Sequence, residues 1–562
     1  MSPLPVCSVP CFVGSARRAS ALEACDYLVT GGMSGVVQVA APEVGVGGAA
    51  DGRCFFEIAA ADPRRFAVIE ADGRAVSYGD LLALVNRVSH GLVQMGLRAR
   101  DTIAIVLENS VEFLAAQLAT GQLGIVLVPV NWHFTIPEIS YLLTDSGASA
   151  IVAGARFAAT AAAAAQDAGL PADRRFAIPA ARGFLPFTEL TAGQPQTRPE
   201  RRAFAHPMLY TSGTTGRPKG VERAVLEADP DDICALVAAA LTSVLGLDAG
   251  SGVHLVTAPM YHASPGTHAL YALHLGHAVV ISPKFDGVAA LDLVQRYGVT
   301  NTFMVPTMFH RLLALPKDVR AAADTSTLRQ VMHAAAACPV ADKRKMIDWL
   351  GPVLVEYYGS TESAIVVAAD AGQWLAHPGT VGRPVLGIDI KILDDDGKEL
   401  PPGAPGMIYA SVADGFEYHK DPAKTASSRR GGYYTPGDIG YLDEDGYLYL
   451  CDRRSDMISS GGVNIYPAEV EAVLLEHPAV ADAAVFGVPD AEWGHRVTAL
   501  VQPAAGAPGS GELAAAILAH CDGRLARFKH PRTLEFRALL PRTPTGKLSR
   551  GRLREDYLAG RS

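Results

Sequence analysis

The sequence predicts an α/β fold: a large N-terminal domain of βαβ-layered sheets that carries an antiparallel β subdomain, then a small α+β C-terminal domain. Three observations predict it. From Phe55 to Val305, short β-branched apolar runs alternate with helix-period stretches, the pattern of parallel strands covered on both faces. Past Gly387 the texture changes to short strands and tight turns, as at Asp394-Asp395-Asp396-Gly397 and Asp445-Gly446, which is the mark of antiparallel pairing. A chain of 562 residues also exceeds what one core holds. The expected division is a poorly defined extension over 1–52, the large domain over 53–453 and the small one over 454–562.

In chain order, the first fifty residues are rich in Gly, Ala and Val and show little periodicity. Prolines interrupt the apolar stretch Leu4 to Ala16 and no basic segment precedes it, so no secretory signal is expected; Met33 is an alternative start. Gly45-Val46-Gly47 is not a nucleotide fingerprint, because no helical pattern follows it. Thr102 to Leu107 then reads as a strand, Val111 to Leu123 as a helix and Ile125 to Val130 as a buried strand. Thr135-Ile136-Pro137-Glu138 reads as a capping box opening a helix, with a strand at Ala148 to Val152. The alternation resumes with strands at Val253 to Ala258, Ala278 to Ile281 and Thr300 to Val305, and helices near Thr267 to Leu275 and Val288 to Tyr297.

Composition excludes several classes. With 49 Lys and Arg against 58 Asp and Glu, the net charge of −9 favours neither nucleic acid nor an anionic membrane as partner. Eight cysteines are spread without a CxxC pair, which suits reduced thiols in a cytoplasmic chain. No apolar run approaches the roughly 18 residues of a membrane span.

The densest chemistry lies in Tyr210-Thr211-Ser212-Gly213-Thr214-Thr215-Gly216-Arg217-Pro218-Lys219-Gly220. Glycines let backbone N–H groups close on an anion, the hydroxyls add donors, and Arg217 and Lys219 supply charge for a polyphosphate. Met208-Leu209-Tyr210 reads as a strand end, so the loop emerges at a sheet edge. A Walker A loop does not fit, since Lys219 is followed by Gly220 and Val221 rather than by Ser or Thr.

This loop resembles the phosphate loop of the adenylate-forming superfamily of acyl-CoA synthetases, peptide-synthetase adenylation domains and luciferases. Glu356-Tyr357-Tyr358-Gly359-Ser360-Thr361-Glu362, Tyr434-Thr435-Pro436-Gly437-Asp438, Asp452-Arg453, Ser460-Gly461-Gly462 and Pro541-Arg542-Thr543-Pro544-Thr545-Gly546-Lys547 resemble later motifs of that superfamily, in its order. The likeness runs from about Phe55 to the C-terminus and leans to the fatty-acyl or aryl CoA ligase branch. It implies ATP-dependent formation of an acyl-adenylate and AMP-forming transfer of the acyl group to CoA. By the same resemblance Glu362 holds Mg²⁺, with Thr361 beside it and Lys547 as the catalytic cation. Thr211, Ser212, Gly213, Thr214, Thr215, Gly216 and Lys219 grip the phosphates of ATP. Ala334, Ala335, Ala336, Tyr358 and Gly359 wall the adenine, while Asp438 and Arg453 meet the ribose or phosphates.

The resemblance puts the acyl pocket at Met260 to Gly266, Val305 to Phe309, His333 to Cys338 and Ser363 to Val367, with His262, Thr307, His333 and Ser363 as polar members. Ala258-Pro259-Met260-Tyr261-His262 carries no acid to pair a substrate ammonium, which argues against an amino acid. His254, His268, His274 and His277 are too irregularly spaced for zinc. The C-terminal unit resembles a mobile lid with Ser455 at its hinge. Ser460, Gly461 and Gly462 border the pantetheine arm, Trp493 and Phe528 hold the CoA adenine, and Arg527 and Lys529 meet its phosphates. Three alternatives stay open: transfer to a carrier-protein thiol, a specialist that takes a pre-made acyl-adenylate to the thioester, and a non-catalytic nucleotide-binding regulator. Lys547, Glu362 and Asp438 together count against the last. The acid itself (fatty, aryl or polycyclic) and the oligomeric state are not specified.

Overall fold

The computed structural model describes residues 54–211, 217–385, 387–412, 415–460, 463–491, 493–542 and 548–560. Its fold is α/β, with the expected alternation forming two mainly parallel sheets. A five-stranded sheet, parallel throughout, has the order Val126–Pro129, Thr102–Val106, Ala150–Gly154, Arg175–Ile178, Leu185–Pro186. Thr102–Val106 is buried along its whole length, which is why it reads as an unbroken apolar run. A nine-stranded sheet has at its centre the parallel strands Leu354–Ser360, Gln330–His333, Asn301–Met304, Val253–Val256, Ala278–Ile281 and Phe66–Ile69. Antiparallel strands Ala364–Asp370 and Arg383–Pro384 extend one edge and Ala75–Ser77 the other.

The helix Val111–Gln122 is buried on nearly every side, and one core joins Ile103 and Val152 of the first sheet to Val256 and Ile281 of the second. A helix apolar all round fits between layers and nowhere else. Thr135 and Glu138 form the capping box read from the sequence, the Thr135 N–H donating to Glu138 Oε2 at 2.7 Å. That helix ends at Gly147, left-handed at φ 65°, and the Ala148 N–H turns back to Leu143 O at 3.0 Å. The following strand therefore begins at Ala150, later than expected. The helix expected near Thr267 starts earlier, at Ala263, since Pro265 suits a first helical turn. The strand expected to reach Val305 stops at Met304, where Pro306 opens a helix, Pro306–Leu313, that periodicity did not reveal.

Past Gly387 the strands Ile390–Leu393, Gly406–Ala410, Arg429–Arg430, Tyr433–Tyr434, Asp438–Leu442 and Leu448–Arg453 form the antiparallel sheet. The C-terminal part holds the hairpin Ile458–Ser460 and Val463–Ile465, the sheet Val480–Asp490, Gly494–Pro503 and Thr533–Phe536, and the helices Pro467–Leu475, Gly511–His520 and Arg550–Leu558. Its apolar side chains pack into cores of their own. Among the described residues no helix is long and apolar enough to cross a membrane.

Candidate active site

Leu209–Thr211 and Lys219–Glu222 pair as an antiparallel hairpin, with Tyr210 opposite Gly220 and Thr211 opposite Lys219. Leu209–Thr211 lies at the edge of its three-stranded sheet, as expected; Ser212, Gly213, Thr214, Thr215 and Gly216 lie outside the described residues. Both ends of the loop are fixed. Tyr210 Oη donates to Asp145 Oδ2 at 2.7 Å, and Tyr141 Oη donates to the Pro218 carbonyl at 2.9 Å. Arg217 sits over the Tyr141 ring, 5.2 Å from its centroid, and Lys219 is ion-paired with Asp421. Glu417–Tyr418 completes this sheet by pairing with Lys219–Glu222, Tyr418 opposite Val221.

The strand Leu354–Ser360 reverses into Ala364–Asp370 through a tight turn, where the Ser360 and Ser363 N–H groups donate to each other's Oγ at 3.0 and 3.1 Å. Gly359 needs its bare α-carbon, because a side chain there would run into the Ala364 carbonyl. This turn presents Thr361 and Glu362. Glu362 is buried, and its Oε1 accepts a 2.9 Å hydrogen bond from Tyr418 Oη. Arg223 Nη2 donates to the carbonyls of Glu362 (2.7 Å) and Thr361 (3.2 Å), and its Nη1 to that of Gly415 at 3.2 Å.

Three of the residues expected around a nucleoside meet one another. Tyr358 Oη donates to Asp438 Oδ2 at 2.8 Å, and Arg453 Nε lies 3.4 Å from Asp438 Oδ1 across the pairing of their two strands. Burial and then the Asp438 charge push the Tyr358 phenol well above its ordinary range, so it stays a donor. Ala334, Ala335 and Ala336 follow the strand Gln330–His333, and Ala335 adopts a left-handed φ of 74°, uncommon outside glycine.

Of the residues expected to line an acyl pocket, His262 stands at the N-terminus of Ala263–His274, Thr307 is in the first turn of Pro306–Leu313, and Ser363 is held in the Ser360 turn. Asn109 fixes the intervening loop from the other sheet, accepting from the Met260 N–H at 2.8 Å and donating to the Ala258 carbonyl at 3.0 Å. His333 is fully buried beside Phe309, with no hydrogen bond to either ring nitrogen, and burial drives it well below the usual imidazole range. Next to it Lys343 and Glu356 form a buried ion pair at 2.5 Å. The other histidines serve packing: His254 Nδ1 lies 2.6 Å from Asn301 Oδ1, Asn301 Nδ2 lies 3.1 Å from His277 Nδ1, and His274 Nδ1 accepts from the Phe55 N–H at 3.2 Å.

In the C-terminal part Lys547, Gly461 and Gly462 lie outside the described residues. Ser460 is buried in its hairpin and Ser455 is exposed in a turn. The Trp493 ring carries the Arg532 guanidinium 4.2 Å from its centroid, Phe528 is 46% exposed, and Lys529 is ion-paired with Glu469 at 2.6 Å. Arg527 opens the short helical turn that holds Phe528. Sequence reasoning did not single out Tyr418, Arg223, Asn109 or Arg550. Arg550 joins Asp452 at 2.9 Å, Asp456 at 3.0 Å and Glu471 at 2.5 Å, so it bridges both sides of Ser455. Each meets its partner only through folding, and none stands out in the linear pattern.

Residues 55–414 match the AMP-binding enzyme family, and residues 469–547 match the AMP-binding enzyme C-terminal domain. Feruloyl-CoA synthase of an Amycolatopsis species is 35% identical over 490 residues, covering 86% of this chain and 94% of the relative. The fatty acid–[acyl-carrier-protein] ligase ScoC of Streptomyces coeruleorubidus is 33% identical over 496 residues, covering 86% of this chain and 92% of the relative. Among solved structures, ATP-bound MatB from Rhodopseudomonas palustris superposes with a TM-score of 0.78 at 31% identity, covering 91% of this chain and 100% of the other.

Proposed function

The chain belongs to the AMP-binding enzyme family, and on that premise we propose that it joins a hydrophobic carboxylic acid to CoA, in the manner of an ATP-dependent, AMP-forming acid–thiol ligase. A carboxylate oxygen of the acid attacks the α-phosphorus of ATP and pyrophosphate leaves; the CoA thiol then gives up its proton, its sulfur attacks the acyl carbon, and AMP leaves. The carrying observation is the meeting of separate segments beside the phosphate-loop hairpin: Tyr358 bonded to Asp438, Asp438 paired with Arg453, and Glu362 bonded to Tyr418 from a strand of the hairpin's own sheet.

In this reading the hairpin ends and Lys219 orient the polyphosphate, Asp438 accepts from ribose hydroxyls, and Tyr358 packs on the adenine. Glu362 fits Mg²⁺ as a buried carboxylate with oxygen chemistry, and the ion, when bound, supplies charge that offsets the phosphates. Lys547 brings an ammonium to the point where two anions meet during adenylation. CoA is the acceptor on this reading. The likeness to both a CoA ligase and an acyl-carrier-protein ligase makes a carrier-protein thiol the second one to test.

Pyrophosphate release measured over fatty, aryl and polycyclic acids, with CoA present or absent, tests the proposal when thioesters are identified by mass. The expected result is acid-dependent pyrophosphate release and an acyl-CoA product. A protein that consumes supplied acyl-adenylate yet never releases pyrophosphate from ATP would instead be a second-half-reaction specialist.

A further inference from the structure

Glu362 is held at three points, two of them by residues from outside its own segment. Arg223 binds its backbone carbonyl, and the Ser360–Ser363 turn sets its place in the chain. Tyr418 takes Oε1, which leaves the lone pairs of the second carboxylate oxygen for a cation. Tyr418 donates to Glu362, and Tyr434 reaches the same turn, its Oη 3.4 Å from Ser360 Oγ. Tyr418 and Tyr434 are both buried, and Phe416 packs edge-on against each, at 5.6 and 5.0 Å between ring centroids.

We propose that Tyr418 is a positioning residue for the metal carboxylate: its hydroxyl holds Oε1 and so orients Glu362 to present the other oxygen to Mg²⁺. Groups that orient a metal ligand in this way commonly change metal affinity by about 10- to 100-fold when removed. Tyr418 also belongs to the strand paired with Lys219–Glu222, so the carboxylate and the phosphate-loop hairpin are held in register by the same backbone ladder. The inference rests on Glu362 being the Mg²⁺ ligand.

The test uses the full-length chain and two readouts: the Mg²⁺ concentration that half-saturates pyrophosphate release, and the Mn²⁺ dissociation constant in the presence of α,β-methylene-ATP, followed by electron paramagnetic resonance. Tyr418→Phe keeps the ring packing and removes the donor. It is expected to raise both values about 10-fold, with the rate recovered at saturating Mg²⁺. A folded Tyr418→Phe with unchanged Mg²⁺ and Mn²⁺ values, or with a rate that saturating Mg²⁺ does not recover, overturns the proposal. Should Tyr418→Phe not fold, a folded Tyr418→Leu with unshifted values does so. Glu362→Gln separates the two levels: if it leaves Mn²⁺ affinity intact, the metal-ligand reading fails, whereas if it weakens Mn²⁺ and Tyr418→Phe does not, only the positioning role fails.

Discussion

Lys547 ends the segment Pro544-Thr545-Gly546-Lys547, and its ammonium is assigned to the moment when the acid's carboxylate meets the α-phosphate. At an effective dielectric of about 20, a charge pair near 4 Å is worth roughly 4 kcal/mol, and the part expressed only in the transition state accelerates the step. Lysine suits such a transient role, with a compact charge on a long stem. Lys547→Ala should lower acid-dependent pyrophosphate release by about 100-fold or more, by analogy with loss of one preorganised donor. Thioester formation from supplied acyl-adenylate should survive, and comparing the two half-reactions in the folded variant checks this. Glu362 illustrates the opposite limit of sequence reading. Its identity was legible in the motif, but the groups that orient it are Tyr418, 56 residues away, and Arg223, 139 residues away.

At the scale of elements, the turn at Ser455 separates Asp438–Leu442 and Leu448–Arg453 from the hairpin Ile458–Ser460 and Val463–Ile465. Ser455 is exposed, and the described contacts of its hydroxyl amount to a 3.2 Å bond to the adjacent Asp456. A pivot must absorb backbone rotation, and proline fixes φ. Ser455→Pro should therefore slow thioester formation more than adenylation, as single-turnover measurements of each half-reaction would reveal; equal loss of both would move the pivot elsewhere. Arg550 adds a restraint that periodicity could not disclose, since it ties Asp452 before the turn to Glu471 after it. Trp493 and Phe528 were legible as aromatic positions. Their surroundings were not: Arg532 covers the Trp493 ring and Lys529 is engaged by Glu469.

For the whole molecule, buried neutral histidines set the acid limit. Burial lowers His254 to about 4, and His268 and His274 to about 3, against about 6.5 for an exposed imidazole. The unfolded chain thus binds protons that the folded one refuses. Stability is complete above about pH 6.5 and falls as pH drops towards 4, each such group costing about 2 kcal/mol by pH 5. Total stabilities of roughly 5 to 15 kcal/mol leave little room for three such losses. The urea midpoint should fall steeply between pH 7 and pH 5, and a flat profile over that range would contradict the assignment. The spacing of these histidines argued against zinc but said nothing about their burial, which comes from the sheet and the helix Ala263–His274 that enclose them. By itself the sequence determined what depends on near neighbours: the alternation of strands and helices, the capping box at Thr135, the glycine- and hydroxyl-rich loop, and the residue types of the motifs at 356–362 and 434–438. Only the tertiary structure decided which of those residues touch. Strand register and layer packing bring Tyr418 to Glu362, Asn109 to Met260 and Arg550 to Asp452, and a one-residue slip in a strand would turn its side chains to the opposite face without altering a single local signal.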